Sequence, residues 1–336
     1  MKARWPSRLL VAGLVLFLVA AVLWILPSDE YVYLPDKAQP VAPYVSVPNE
    51  QTSGHGGIYF VDVFVRKASL LERLFPWLRS GATFVPATAV EPQGASDADL
   101  RRQSRLEMQR SEPVAAAVAL RALHYKVRIR QTGVLVTLVP RGGPAAGKLQ
   151  PQDVIVAVDG KPVREPQELR RAIAATGVGT RITVTVQRGP ARRVYALRPI
   201  ADPGDPDRRP VIGVLVDQAA SIRLPFTVRI HLDSVGGPSA GLAFALDVME
   251  ELGHNVDHGL RVAATGTIDL EGRVGPIGGV KQKVLGARKS GVDVFLVPAG
   301  DNAREAARYA DGLKIIPVQS FRQALRALAT LGRATS

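Results

Sequence analysis

The chain has 336 residues, enough for two or three domains, and its 46% hydrophobic and 22% charged residues are ordinary globular composition. The net charge of +13 invites a nucleic-acid reading, yet the basic residues are scattered, with no aromatic-interleaved patch or zinc-finger spacing, so no nucleic-acid partner is expected. With no cysteine, disulfides, cysteine-ligated zinc and a cysteine nucleophile are excluded, and nothing else calls for a cofactor or metal.

In chain order, Lys2, Arg4 and Arg8 precede an uncharged run from Leu9 to Leu26. As a helix, that run of 18 residues reaches about 27 Å, close to the hydrocarbon thickness of a bilayer. It ends in bulky residues and Trp24, then Asp29 and Glu30, rather than an A-x-A-like cleavage site. Residues 1–27 are therefore expected to be a cytoplasmic tip and an uncleaved membrane anchor, with the rest of the chain outside. Residues 28–52, rich in proline, are expected to be a linker. Within 53–127, Ile58 to Val65 reads as a strand running into a helix. "GASDADLRRQSRLEMQRSEPVAAAVALRAL" reads as helices, with Ser96 as N-cap.

From Gly133 the pattern "GVLVTLVPRGGPAAGKLQPQDVIVAVDGKPV" gives strand, turn, short helix and strand, then a turn at Asp159-Gly160. A helix and a strand of period two follow. Residues 128–200 resemble a bacterial PDZ domain, a β-sandwich or barrel module, although no carboxylate-binding glycine loop precedes "GVLV". Gly142, Gly147 and Lys148 match the phosphate-cradling G-x-x-x-x-G-K, but Leu149 stands where a magnesium-binding Ser or Thr is needed, so no nucleotide site is expected.

After "ADPGDPDRRP" a further unit is expected over 211–336. "FTVRIHL" alternates as a half-buried strand. A buried helix is expected from Pro238 to Leu252, a hairpin at Glu271-Gly272, and a helix over "VKQKVLGARKSG". "SVGGPSAGLAFA" places Ser239 either on a G-x-S-x-G nucleophile elbow or on a glycine-rich turn opening a helix. The elbow requires a later histidine, and His254 and His258 lie past the helix that Ser239 begins, while His231 precedes the serine. A lysine serves instead if burial lowers its pKa from about 10.4 toward neutrality. Val280, Lys283, Val284 and Ala287 fall at i, i+3, i+4 and i+7, so Lys283 faces inward and Lys281 does not. A snorkelling Lys283 at the edge of a packed face is the plain structural alternative.

"GGPSAGLAFAL" followed by "ATGTIDLEGRVGPIGGVKQK" resembles the proteolytic domain of Lon-type serine proteases, an α/β (α+β) fold. The resemblance implies Ser239 as nucleophile and Lys283 as its base. Thr265 matches a supporting threonine and reads equally as an ordinary strand residue. Gly236, Gly237 and Pro238 shape the approach to the serine, or simply make a tight turn. Two positions depart from the family pattern: Gly236 replaces an acidic residue, and Thr267 replaces the glutamate of a T-G-E turn.

An anchor and a PDZ module without an ATPase resemble the membrane-anchored, PDZ-containing Lon-like proteases. Through "VRKASLLERLFPWL" the segment from Gly57 to Val127 resembles the same group and is expected to lend a strand to the protease fold. The resemblance implies an ATP-independent, extracytoplasmic endopeptidase acting on proteins or peptides and assembling as a homo-oligomeric ring. A catalytically inactive peptide-binding scaffold and a G-x-S-x-G esterase are the alternatives.

Overall fold

The strand Gly57–Ser69 is where the parallel and antiparallel parts of the main sheet meet. In the computed structural model, residues 5–48, 56–90, 97–140, 142–202, 204–231 and 237–335 are described, with backbone alone at 5–9, 97–103 and 333–335. The expected cap Ser96 lies outside them. The chain divides into two units. The first joins residues up to 91, Ser104–Tyr125 and Phe226 onward, and the second comprises Pro92–Gln103 and Lys126–Pro225.

In the first unit six strands run in the order Lys314–Val318, Val294–Pro298, Arg261–Ala264, Gly57–Ser69, Pro27–Pro40, Thr83–Pro86. The first four are mutually parallel, and the last two pairings are antiparallel. Residues alternate between the faces, as period two requires. Ile58, Phe60, Val262 and Ala264 pack under the helix Gly241–Glu251, together with Met108 and Ala115 of the helix Asp97–Ala122 and Leu328 of the C-terminal helix. Val61, Ala263 and Phe295 pack with Val280, Val284 and Ala287 of the helix Val280–Lys289. The helix that follows Ser239 and the helix that carries Lys283 thus belong to two separate apolar clusters.

All eleven residues of Gly241–Glu251 are buried. Truncating a wholly buried side chain such as Phe244 to alanine costs about 3–5 kcal/mol. The lysine helix crosses the strand Pro27–Pro40 closely: a Cβ on Gly286 would stand 1.8 Å from the Asp36 carbonyl oxygen. Only glycine permits that approach.

Two expectations need correction. Residues 28–52 are not merely a linker, because Pro27–Pro40 is a full strand of the sheet. Its prolines disguise it: the register shifts between Pro27 and Tyr31 and between Pro35 and Ala38, so Pro27 and Pro35 border irregularities, and Pro40 ends the strand. The boundary at 211 is also displaced. Ile200–Ala201 pairs with Pro210–Val211 across the proline- and aspartate-rich turn, and Leu215–Arg223 then pairs with Arg128–Leu138 in the second unit. The Trp5–Ile25 helix has side chains described from Leu10, a stretch of about 24 Å. Among the described residues no helix is long and apolar enough to cross a membrane.

The second unit is an antiparallel sheet ordered Leu215–Arg223, Arg128–Leu138, Val154–Val158, Ile182–Arg188, Ala191–Leu197. Leu169 and Ile173 of the helix Pro166–Ala174 close its core.

Candidate active site

The parallel ladder between Gly57–Ser69 and Arg261–Ala264 ends at the pair Phe60 and Ala264. Past that point the sheet opens, and the Val61 carbonyl has no partner from that strand. The Lys283 Nζ takes its place, 2.5 Å from the Val61 oxygen. The same Nζ lies 3.0 Å from Ser239 Oγ. A side chain from the turn that leads into one helix and a side chain of the other therefore meet where two strands part, the kind of crevice that α/β sheets use for chemistry.

Local sequence explains each position. Gly237 adopts φ 86° and ψ 150°, which a residue with a Cβ rarely tolerates, and it turns the chain into the 3-10 turn Pro238–Ala240. Ser239 sits in that turn, immediately before the helix. Its carbonyl is held twice, by the Gly266 amide at 2.7 Å and by Thr265 Oγ1 at 3.1 Å. The Gly266 carbonyl in turn accepts from the Leu242 amide at 3.1 Å. Thr265 is buried, and its own amide donates to Leu296, so the serine turn is tied to the sheet through Thr265-Gly266. The amide of Gly237 donates to the Ser104 carbonyl at 2.9 Å, and Pro238 has no amide proton. Neither position can supply an oxyanion donor in this arrangement. Gly236 lies outside the described residues.

Lys283 is only 3% exposed. Burial pulls its amine down to about 8, and the nearby Asp62 carboxylate partly opposes this. Gln282 steadies the helix by donating to the Gly81 carbonyl and Thr83 Oγ1. Asn302 pins the preceding loop through both the amide and carbonyl of Ile277. Lys281 points elsewhere, donating to the Ala82 carbonyl with its ammonium over the Tyr309 ring. The described strand nearest before Ser239, Arg229–Ile230, pairs antiparallel with Val45–Ser46, which is not the parallel feeding strand of a nucleophile elbow. His254 and His258 follow the serine helix, whose 11 residues span about 16 Å.

Sequence reasoning did not single out Val61, Asp62 or Asn302. A backbone acceptor carries no side-chain signature, and Asp62 lies 221 positions from the lysine it faces. Nor did it single out four acids at the far end of the serine helix: Asp247, Glu250, Glu251 and Asp257, all buried. Burial, reinforced by the neighbouring carboxylates, raises Asp247 to about 8, and burial raises Glu250 to about 7.

A serine facing a desolvated amine on a mixed α/β scaffold is an arrangement that suits a serine peptidase. In particular, residues 227–330 match the family described as Lon protease (S16) C-terminal proteolytic domain, and residues 105–196 match the PDZ domain family. Lon protease 2 of Bacillus subtilis is 36% identical over 106 residues, covering 30% of this chain and 19% of the relative. A Lon protease of Azorhizobium caulinodans is 41% identical over 93 residues, 26% of this chain and 11% of that protein. The chain thus spans a fifth or less of the length of these curated relatives. The PDZ domain of an SdrC-like protein from Listeria innocua is 30% identical over 25% of this chain and 92% of its own, at a TM-score of 0.24.

Proposed function

We propose that the chain is an ATP-independent serine endopeptidase of the extracytoplasmic face, with Ser239 as nucleophile and Lys283 as general base and then acid. The observation that carries this reading is the 3.0 Å approach of the buried Lys283 Nζ to Ser239 Oγ. A neutral amine has two N–H bonds and one lone pair. One N–H donates to the Val61 carbonyl, which aims the lone pair at the serine hydroxyl.

As Ser239 Oγ attacks the scissile carbonyl carbon, its proton passes to Lys283 Nζ. The resulting ammonium then protonates the leaving amine as the tetrahedral intermediate collapses to an acyl-enzyme. Water repeats the sequence: the amine takes a water proton, hydroxide adds to the ester carbonyl, and the proton returns to Ser239 as the acid leaves. Thr265 acts by fixing the serine turn. The negative oxygen is stabilised by the amides of the Ser239–Ala240 turn at the head of the helix, where the helix dipole also favours it.

The sequence run Leu9–Leu26, flanked by Lys2, Arg4 and Arg8, supports an N-terminal anchor with the catalytic unit outside. The PDZ module is assigned the capture or regulation of protein and peptide substrates, an extended segment pairing by strand addition. A homo-oligomeric ring follows from the resemblance to Lon-type domains.

The test uses the full chain in detergent or vesicles, with an unfolded protein substrate and no nucleotide. Cleavage should proceed, and Ser239→Ala should abolish it. Full activity of Ser239→Ala would end the peptidase reading. An unmutated chain inert toward every unfolded substrate would favour a peptide-binding scaffold.

A further inference from the structure

A second surface of the first unit has no part in the chemistry above. Directly after Ser69 the chain forms a short helix Leu70–Leu74 and a 3-10 turn Pro76–Leu78. Its large side chains point outward: Trp77 is 74% exposed, Leu74 57% and Leu78 51%, with Phe75 beside them. Phe75 and Trp77 stack edge to face, their ring centroids 5.1 Å apart. The patch extends onto the end of the N-terminal helix, where Ile25 is 78% exposed and Trp24 is also open.

This is not a loose loop. Ser69 and Glu72 form a reciprocal capping box. The Glu72 carboxylate is 1% exposed and is gripped by Arg66 at 2.6 Å and Arg79 at 2.7 Å. Arg66 belongs to the strand Gly57–Ser69, so the turn is bolted to the sheet. The hydrogen bonds from Arg66 hold the Glu72 carboxyl near 2, so the clamp stays charged at any physiological pH. The Leu70 amide donates to the Leu26 carbonyl at 2.9 Å, and the Arg79 guanidinium lies 5.0 Å over the Trp24 ring. The fold therefore spends a buried ion-pair cluster to display four apolar side chains outward, beside the end of the apolar helix.

Soluble monomers rarely expose contiguous apolar surface of this kind without a use for it. Tryptophan beside arginine, with aliphatic tips, is the composition of the boundary between lipid headgroups and acyl chains. We infer that Leu74, Phe75, Trp77 and Leu78 dock the first unit onto a phospholipid bilayer, sinking to the level of the acyl carbonyls beside the exit of the N-terminal helix. Continuity with that apolar helix selects the bilayer over a protein partner, and the chain's net positive charge suits anionic lipid. The inference rests on the membrane location proposed above, but on different residues.

The experiment reconstitutes the full chain into phosphatidylcholine vesicles containing some phosphatidylglycerol, and reads tryptophan quenching. Trp5→Phe with Trp24→Phe leaves Trp77 as the sole reporter, and Trp5→Phe with Trp77→Phe leaves Trp24. Lipids spin-labelled near the headgroup should quench Trp77 at least twofold more than lipids labelled near the acyl terminus, and aqueous iodide should quench it weakly. Strong iodide quenching of Trp77 with no lipid quenching would overturn the docking. Shielding of Trp77 from both quenchers would also overturn it, in favour of a protein partner such as a second copy. The Trp24 reporter separates the two readings. Trp77 quenched by shallow lipid labels while Trp24 is reached by iodide alone supports docking and removes the anchor.

Discussion

The two ends of the serine helix bury ionisable groups to similar degrees and reach opposite results. At the N-terminal end, Lys283 is desolvated but has the Val61 carbonyl and the Ser239 hydroxyl within hydrogen-bond reach. At the C-terminal end, Asp247, Glu250, Glu251 and Asp257 crowd together. Glu250 Oε1 accepts from the Val256 and Asp257 amides, whereas Oδ2 of Asp247 and Oδ2 of Asp257 have no hydrogen-bond partner. Acids at a helix C-terminus also oppose its dipole. Among the described residues no group of three or more such side chains is placed to hold a metal ion. Burial shifts proton affinity at both ends. What distinguishes the Lys283 end is a directed pair, an amine within hydrogen-bond reach of a hydroxyl.

The sharpest test of this contrast is to remove the directed pair. Lys283→Gln keeps bulk and a hydrogen bond to Val61 but has no proton acceptor of comparable strength, so kcat/KM should fall by roughly a thousandfold or more. Lys281→Ala, on the outward face, should stay within about twofold of the parent in the same assay. An equal loss in both variants would mean that the helix matters only as scaffold.

Next comes the pH profile of the parent. Because burial lowers the amine to about 8, activity should climb as pH rises through that value, where Lys283 loses its proton. A rate flat from pH 6 to 10 would remove Lys283 as base. Thr265→Val follows, since it deletes one of two bonds to the Ser239 carbonyl and leaves the Gly266 amide in place. One such bond is worth about 1 kcal/mol, so kcat should drop about five- to tenfold with KM little changed.

The smallest effect lies at the other end. The folded chain holds protons on Asp247 and Glu250 up to about 8 and about 7, while the unfolded chain releases them near pH 4. More protons are then bound folded than unfolded across that window, so stability falls as pH rises from about 4 to 8. Asp247→Asn should flatten the fall and raise Tm by about 2–6 °C at pH 8, with little difference near pH 4. A variant destabilised at both pH values would mean that the carboxylate has a charged partner.

The legibility of the site and the fold followed the same divide between side chains and backbone. Lys283 was distinguishable from Lys281 because helix period alone puts one among Val280, Val284 and Ala287. The serine turn was visible because Gly237 and Pro238 punctuate it. Pro27–Pro40 was hidden because its prolines interrupt the alternation that marks a strand, and the pairings that override them come from residues 57–69. The end of the second unit was missed because "ADPGDPDRRP" has the composition of a linker yet folds as a tight paired turn. The four buried acids were overlooked because they lie in and just after a helix that reads as apolar.

The insertion of residues 126–225 has a consequence for how the molecule is built. Tyr125 and Phe226, the last residue before the insert and the first after it, meet edge to face with ring centroids 5.2 Å apart. Once the insert has folded, a loop of about a hundred residues behaves as a short bridge, which cuts the entropy of closing the parallel pairing between Gly57–Ser69 and Arg261–Ala264. Val61 precedes the insert and Ser239 and Lys283 follow it. A nascent chain therefore cannot bring Val61, Ser239 and Lys283 together until its last third has been synthesised and the two halves of the sheet have joined.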